Sequence, residues 1–204
     1  MCYIFFYVDK FVIKEILMNI YIIDVKSEIK IRSGIMEDFK MNKKVLWICH
    51  AAMIAALYVV LTLCINAFGL ASGAIQVRIS EALTILPYFT PAAIPGLVIG
   101  CLISNTITGC ALLDILLGSF ATLLGALGSY ALRRFKWLVP LPPIIANTLI
   151  VPYVLRIAYG VEDGIFYLMG TVCAGEILSC YVLGMILLFA LDKSHKSLFA
   201  KKNA

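Results

Sequence analysis

Charge is scarce in this chain. Asp, Glu, Lys and Arg together make up 14% of 204 residues, while apolar types make up 62%. A soluble domain carries about a quarter charged residues, so a free-standing globular enzyme is excluded. The strict polar/apolar alternation of a membrane barrel is also missing, because the apolar runs are continuous. No G-x-x-x-x-G-K-[ST] loop is present, so the chain has no phosphate cradle with which to hydrolyse ATP itself. There is no H-E-x-x-H, and His50 and His195 stand alone near the ends of apolar runs. The seven cysteines (Cys2, Cys49, Cys64, Cys101, Cys110, Cys173 and Cys180) form no C-x-x-C pair and no Cys/His spacing suited to zinc. Most sit inside apolar runs, where cysteine behaves as a small hydrophobe. Ser72 and Ser119 lack a neighbouring base, which argues against an intramembrane serine protease. Nothing calls for a metal, a cofactor or a catalytic residue.

What is present is a succession of apolar runs able to cross about 30 Å of hydrocarbon. The first is 45–67. A short helical piece at 80–89 follows a polar connection, and Pro91 after Thr90 predicts a boundary there, because proline lacks a backbone donor and restricts its predecessor. Further runs cover 91–107, 112–132, 138–159 and 165–191. The fold class is therefore an all-α integral membrane bundle of six helices, with the second and third short or broken. Lys43 and Lys44 precede the first run, Arg133, Arg134 and Lys136 separate the fourth and fifth, and Lys193, Lys196, Lys201 and Lys202 follow the sixth. Six spans put all three groups on one side, the cytoplasm by the positive-inside rule, with both termini there. The same rule accounts for the net charge of +5, leaving no basic surface to assign to nucleic acid.

Residues 1–40 differ in character. Asp9, Lys10, Lys14 and Glu15 interrupt short apolar pieces, too often for a comfortable span and without the pattern of a secretory signal. We read 1–40 as an extension outside the membrane domain, with translation expected to start at Met41 or Met36. Residues 41–192 are then the six-helix domain and 193–204 a basic cytoplasmic tail.

Ionisable groups inside spans are costly and are functional candidates by default. Glu176 lies some eleven residues into the last span, roughly 16 Å down at about 1.5 Å per residue. Asn147 lies at similar depth on the fifth. Asp114 opens the fourth, Asn105 closes the third, and Arg78 and Glu81 stand at the start of the second. All six belong to the outer half of the membrane. Helix capping is the bland account of Asn105 and Asp114, and an internal ion pair that of Arg78 with Glu81. A lone carboxylate at the depth of Glu176 has no such account and needs a partner, a proton or a cationic ligand. Small residues mark packing faces: Gly118, Thr122, Gly125 and Ser129 on the fourth span, and Ala51/Ala55 and Ala52/Ala56 on the first.

Four segments, QVRISEALTILPYFTPAAIPGLVIGCLISN, LLDILLGSFATLLGALGSYALRR, LPPIIANTLIVPYVLR and GEILSCYVLG, resemble the QueT family in their order, over residues 42–191. Those proteins are substrate-binding S components of energy-coupling factor (ECF) transporters, assigned to queuosine precursors. The resemblance implies a six-helix S-component fold in the plasma membrane of a prokaryote and a deazapurine substrate such as 7-aminomethyl-7-deazaguanine (preQ1). It also implies a transmembrane coupling subunit, contacted by Ala51/Ala55 or Ala52/Ala56, and two ATPase subunits. The extension at 1–40 has no counterpart in it.

A deazaguanine presents an N1–H and amino edge that suits a carboxylate, and its aminomethyl cation suits a second one. Glu176 and Glu81 are the candidates, in either order. Asn147 would read the ring, Arg78 would neutralise Glu81 or donate to the carbonyl, and Tyr88 and Phe89 are candidates for stacking. Three alternatives stay open: an S component for another vitamin-like solute, an intramembrane enzyme pairing Glu176 with Asp114, and a membrane-assembly protein that binds no small molecule.

Overall fold

The computed structural model describes residues 42–67 and 78–200, with side chains as far as Lys193. The expectations for residues 1–40 and for most of the basic tail lie outside these. Among the described residues every regular element is helical. α1 spans Lys43–Ala67, α2 Ile79–Tyr88, α3 Ala93–Ile107, α4 Leu112–Ala131, α5 Leu141–Ala158 and α6 Ile165–Glu176. α6 continues without a break in helical backbone through a π-helical stretch, Ile177–Leu183, into α7, Gly184–Ala200. Residues Trp47–Leu188 form one compact unit, which contains every candidate substrate-binding residue. Four helices are long and apolar enough to cross a membrane, the α6–α7 rod counting as one, and α3 is a shorter apolar helix. This is an all-α, multi-pass membrane protein.

The boundaries follow from local chemistry. α2 is wound as a 3₁₀ helix and carries Pro87. Ten residues at about 2.0 Å each reach only about 20 Å, too short to cross about 30 Å of hydrocarbon. Every residue from Ser80 to Pro87 is buried, so α2 is a plug inside the bundle rather than a lipid-facing span. Thr90 and Pro91 turn the chain, as expected, and α3 returns. Gly109 and Gly160 close α3 and α5 with φ of +73° and +64°, the left-handed conformation that glycine adopts without a side-chain clash. Each turn is locked by an amide reaching back over it, Cys110 to the Asn105 carbonyl at 3.0 Å and Val161 to that of Leu155 at 3.3 Å. Both turns lie beside the site.

Apolar burial alone cannot drive helices together in lipid, so close backbone approach must do so. Gly96 and Gly100 of α3 face α1: a Cβ on Gly96 would stand 2.6 Å from the Ala51 carbonyl, and one on Gly100 would stand 3.0 Å from that of Ala55. The Ala51/Ala55 stripe is thus used inside the bundle, and both alanines are buried. Ala52 and Ala56 are exposed. On α4 the stripe of Gly118, Thr122, Gly125 and Ser129 is buried, and Gly125 sits against the backbone of Pro143 at the start of α5. The opposite face of α4, with Leu116, Phe120, Leu124 and Leu127, is exposed, as a lipid-facing surface must be.

Tyr88 and Phe89 do not reach the ligand end. They meet edge to face, with centroids 4.9 Å apart, and pack on a cluster of Ile85, Val139, Met185 and Leu188. The Lys136 ammonium lies 5.8 Å from the Tyr88 ring centre. They therefore close the end of α2 away from Arg78. The ten residues of α2 separate them from Arg78.

Candidate binding site

A cavity of about 380 Å³ opens between α1, the start of α2, the α3–α4 turn and the end of α5. Its wall includes Arg78, Ser80, Asn105, Asp114 and Tyr159. This is the size range of small-molecule sites, about 300–1,000 Å³. Tyr159 donates to the Asp114 carboxylate at 2.9 Å and accepts from the Ala111 amide at 3.2 Å, tying the end of α5 to the start of α4. Partial burial, with help from the bond to Asp114, raises the Tyr159 phenol to about 12, so it remains a donor at physiological pH. Asp114 and Asn105 are both buried, and both lie 3.3 Å from where a Cβ on Gly118 would be. Glycine there makes room for them. Neither residue caps a helix: the cap positions are Ala111 before α4 and Thr108 after α3, and neither helix start carries a side-chain cap. The capping account of these two residues is not what the structure displays.

Beyond the cavity wall lies a second, fully enclosed group. Glu81 is 1% exposed and Glu176 7%. An oxygen of each and the Cys180 sulfur lie within 4.8 Å of one another. Tyr58 on α1 donates to Glu81 Oε1 at 2.6 Å, and the Cys180 thiol donates to Glu176 Oε2 at 3.1 Å. The Thr84 hydroxyl donates to the Glu81 carbonyl at 2.6 Å. Asn147 on α5 is buried as well and stands near both carboxylates. Glu81 Oε2 and the Ser80 hydroxyl, both buried, have no hydrogen-bond partner among the described residues. A buried acceptor left unpaired costs about 1–3 kcal/mol, and more if charged, so Oε2 is an acceptor waiting for a donor.

The six residues picked from the sequence thus fall into two tiers. Arg78, Asn105 and Asp114 line the cavity, and Glu81, Asn147 and Glu176 form the enclosed tier. Arg78 connects them along the chain, standing in the cavity wall three residues before Glu81. Glu176 and Asp114, the pair an acid/base enzyme would need, have separate hydrogen-bond partners, Cys180 for the first and Tyr159 for the second. Tyr58, Cys180 and Tyr159 were missed from the sequence. Cys180 had a signal, since it follows Glu176 by four residues on one helix. Tyr58 had none, lying mid-span in α1 among apolar neighbours.

Tyr58 donates to the Glu81 carboxylate at 2.6 Å, which gives a testable consequence of this tier. Tyr58→Phe is expected to weaken ligand binding about 10- to 100-fold, the worth of a hydrogen bond to a charged group, about 1.5–3 kcal/mol. Titration calorimetry on purified protein checks it, and an unchanged affinity would remove Glu81 from the ligand's contacts.

The sequence profile of the QueT transporter family matches residues 48–193, which takes in every residue of both tiers. A curated relative, the queuosine precursor transporter QueT of Lactococcus lactis subsp. cremoris, is 37% identical over 86 residues, 42% of this chain and 50% of the relative. The chain thus aligns with about half the length of that relative. No solved structure matches it. With most of the chain, its helical bundle and its enclosed polar site inside the matched region, the protein belongs to the QueT transporter family.

Proposed function

We propose that this chain is the substrate-binding membrane subunit (S component) of an ECF-type importer in a prokaryotic plasma membrane, and that it takes up a queuosine precursor such as preQ1. The observation that carries the substrate class is a charge imbalance. Glu81, Asp114 and Glu176 are all buried, while Arg78 is the one cation lining the cavity among the described residues. The connection 68–77 brings no charge of either sign. Isolated charges in a low-dielectric interior are costly, so this arrangement favours a small ligand that brings a positive charge and several N–H donors. An aminomethyl deazaguanine has both. Arg78 and Asn105 would hold its polar face, and the enclosed carboxylates its donors.

Nothing in the chain resembles a nucleotide-binding loop, so energy has to come from elsewhere. Two ATPase subunits and a transmembrane coupling subunit supply it in this reading. Ala52 and Ala56, exposed on α1, are the small-residue face left for the coupling subunit once Ala51 and Ala55 are used internally.

The experiment is a thermal-shift and calorimetric screen of purified protein against deazapurines, other vitamin-like solutes and Zn²⁺. A shift with a deazapurine alone is the expected result. A response to another solute would keep the subunit's role and replace its substrate. A response to Zn²⁺ alone would make Glu81, Glu176 and Cys180 a metal site, since they are the one group of metal-ligating side chains this close among the described residues.

A further inference from the structure

Of the three buried carboxylates, the cavity touches one. Among the described residues Asp114 is the one acidic side chain in its wall, and Glu81 and Glu176 lie beyond it. Asp114 is 5% exposed, and its carboxylate is held at one end. The Tyr159 hydroxyl, also in the wall, donates to Oδ2 at 2.9 Å and accepts from the Ala111 amide at 3.2 Å. A phenol has a single proton to donate, and the Ala111 amide aims that proton at Asp114. Tyr159 follows α5 and Ala111 precedes α4, so two helix ends fix one carboxylate. Its other oxygen, Oδ1, lies toward Asn105: Oδ1 and the Asn105 amide nitrogen are each 3.3 Å from where a Cβ on Gly118 would stand. Asn105 lines the cavity too.

Resting on the deazapurine reading above, we infer that Asp114 receives the ligand's ammonium group at Oδ1, and that Tyr159 is the positioning residue that holds the carboxylate for it. Arg78 shares the wall, but one guanidinium cannot offset three carboxylates. A cation entering this cavity meets Asp114 before either glutamate, and a contact between two charged partners is stronger than a neutral one. The uncharged ring edge is left to Glu81 and Glu176. Selection for a cationic precursor then belongs to the cavity wall, and grip on the ring to the enclosed tier. A carboxylate already fixed by Tyr159 need not be ordered when the ligand arrives, which favours binding.

Calorimetry on the full chain with 7-aminomethyl-7-deazaguanine and its 7-hydroxymethyl analogue, similar in shape but uncharged, tests the assignment. The unaltered protein is expected to prefer the amine at least about tenfold, the worth of a charge-assisted contact. Asp114→Asn should erase that preference, weakening the amine about tenfold or more and the analogue by no more than about threefold, which also certifies its fold. Tyr159→Phe leaves Asp114 charged but unheld, and should weaken the amine about three- to tenfold and the analogue less than about twofold. Glu81→Gln and Glu176→Gln should each weaken both ligands and keep the preference. Where Asp114→Asn does not accumulate, Tyr159→Phe decides by the same ratio. The assignment is overturned if the unaltered protein does not prefer the amine, if Asp114→Asn or Tyr159→Phe leaves the preference intact, or if a glutamate variant erases it instead. Binding of neither ligand to the unaltered protein would remove the deazapurine reading, and this assignment with it.

Discussion

A protein carrying Glu81→Gln and Glu176→Gln together is expected to lose binding of the aminomethyl deazapurine by roughly a hundredfold to ten-thousandfold while its unliganded form melts no lower than the parent. Each carboxylate makes a charge-assisted contact worth about 1.5–3 kcal/mol, and two of them sum to about 3–6 kcal/mol, or roughly two to four powers of ten. The two groups lie within 4.8 Å and are therefore coupled, so the sum is approximate. Stability should move the other way. Two carboxylates that share one enclosed site repel each other, and their desolvation is only partly repaid by Tyr58, Cys180 and Asn147. Glutamine keeps the shape and hydrogen-bonding capacity without that repulsion. Calorimetry and a melting curve on the same sample separate the two effects. A double variant that binds normally would show that the enclosed tier is structural, and one that fails to fold would show that the charges hold the bundle together.

The second large effect is expected from the helix crossings. Gly96→Leu and Gly125→Leu should each abolish accumulation of folded protein or lower its melting temperature sharply, with a cost on the order of 3 kcal/mol or more. Forcing extra atoms into a packed interior costs about 1–3 kcal/mol where neighbours can shift. Here the obstruction is backbone, the Ala51 carbonyl at 2.6 Å from a Cβ on Gly96 and the Pro143 Cα at 2.7 Å from one on Gly125. Neither can rotate away as a flexible side chain would. Gly170, with nothing within 4 Å of its would-be Cβ, is the control, and Gly170→Leu should be tolerated. Detergent-solubilised yield and melting temperature decide it. Equal tolerance at all three glycines would mean that α1, α3, α4 and α5 do not approach as closely as described.

Both expectations bear on transport by the same route. A pocket enclosed by tightly crossing helices is held in shape by those crossings, and a ligand's charge is stabilised only while water is kept out. Loosening Gly96 or Gly125 should therefore weaken binding even though neither touches the cavity. Carboxylate substitutions should weaken it without loosening the bundle.

Much of the architecture was legible in the residues alone. Continuous apolar runs set the spans, and the observed helices begin and end close to where those runs do, because a backbone in lipid must satisfy its own hydrogen bonds. Thr90-Pro91 marked the break between α2 and α3 for want of a backbone donor. The burial of Glu81, Asn105, Asp114, Asn147 and Glu176, with Arg78 half-buried, was foreshadowed by their cost in hydrocarbon: each must face inward. The neighbours of those residues were not legible. Tyr58 and Glu81 are 23 residues apart, and Glu81 and Cys180 99 apart. The internal use of Ala51 and Ala55, and the distance of Tyr88 and Phe89 from the site, were equally hidden. In a soluble helix the apolar stripe announces which face meets the core. In a membrane helix the lipid-facing and protein-facing sides are both apolar, so hydrophobicity carries no such message. Sequence therefore determined which residues lie in the membrane and which must be shielded from it. Only the tertiary structure, through close approach at a few glycines, decided which shielded residue meets which.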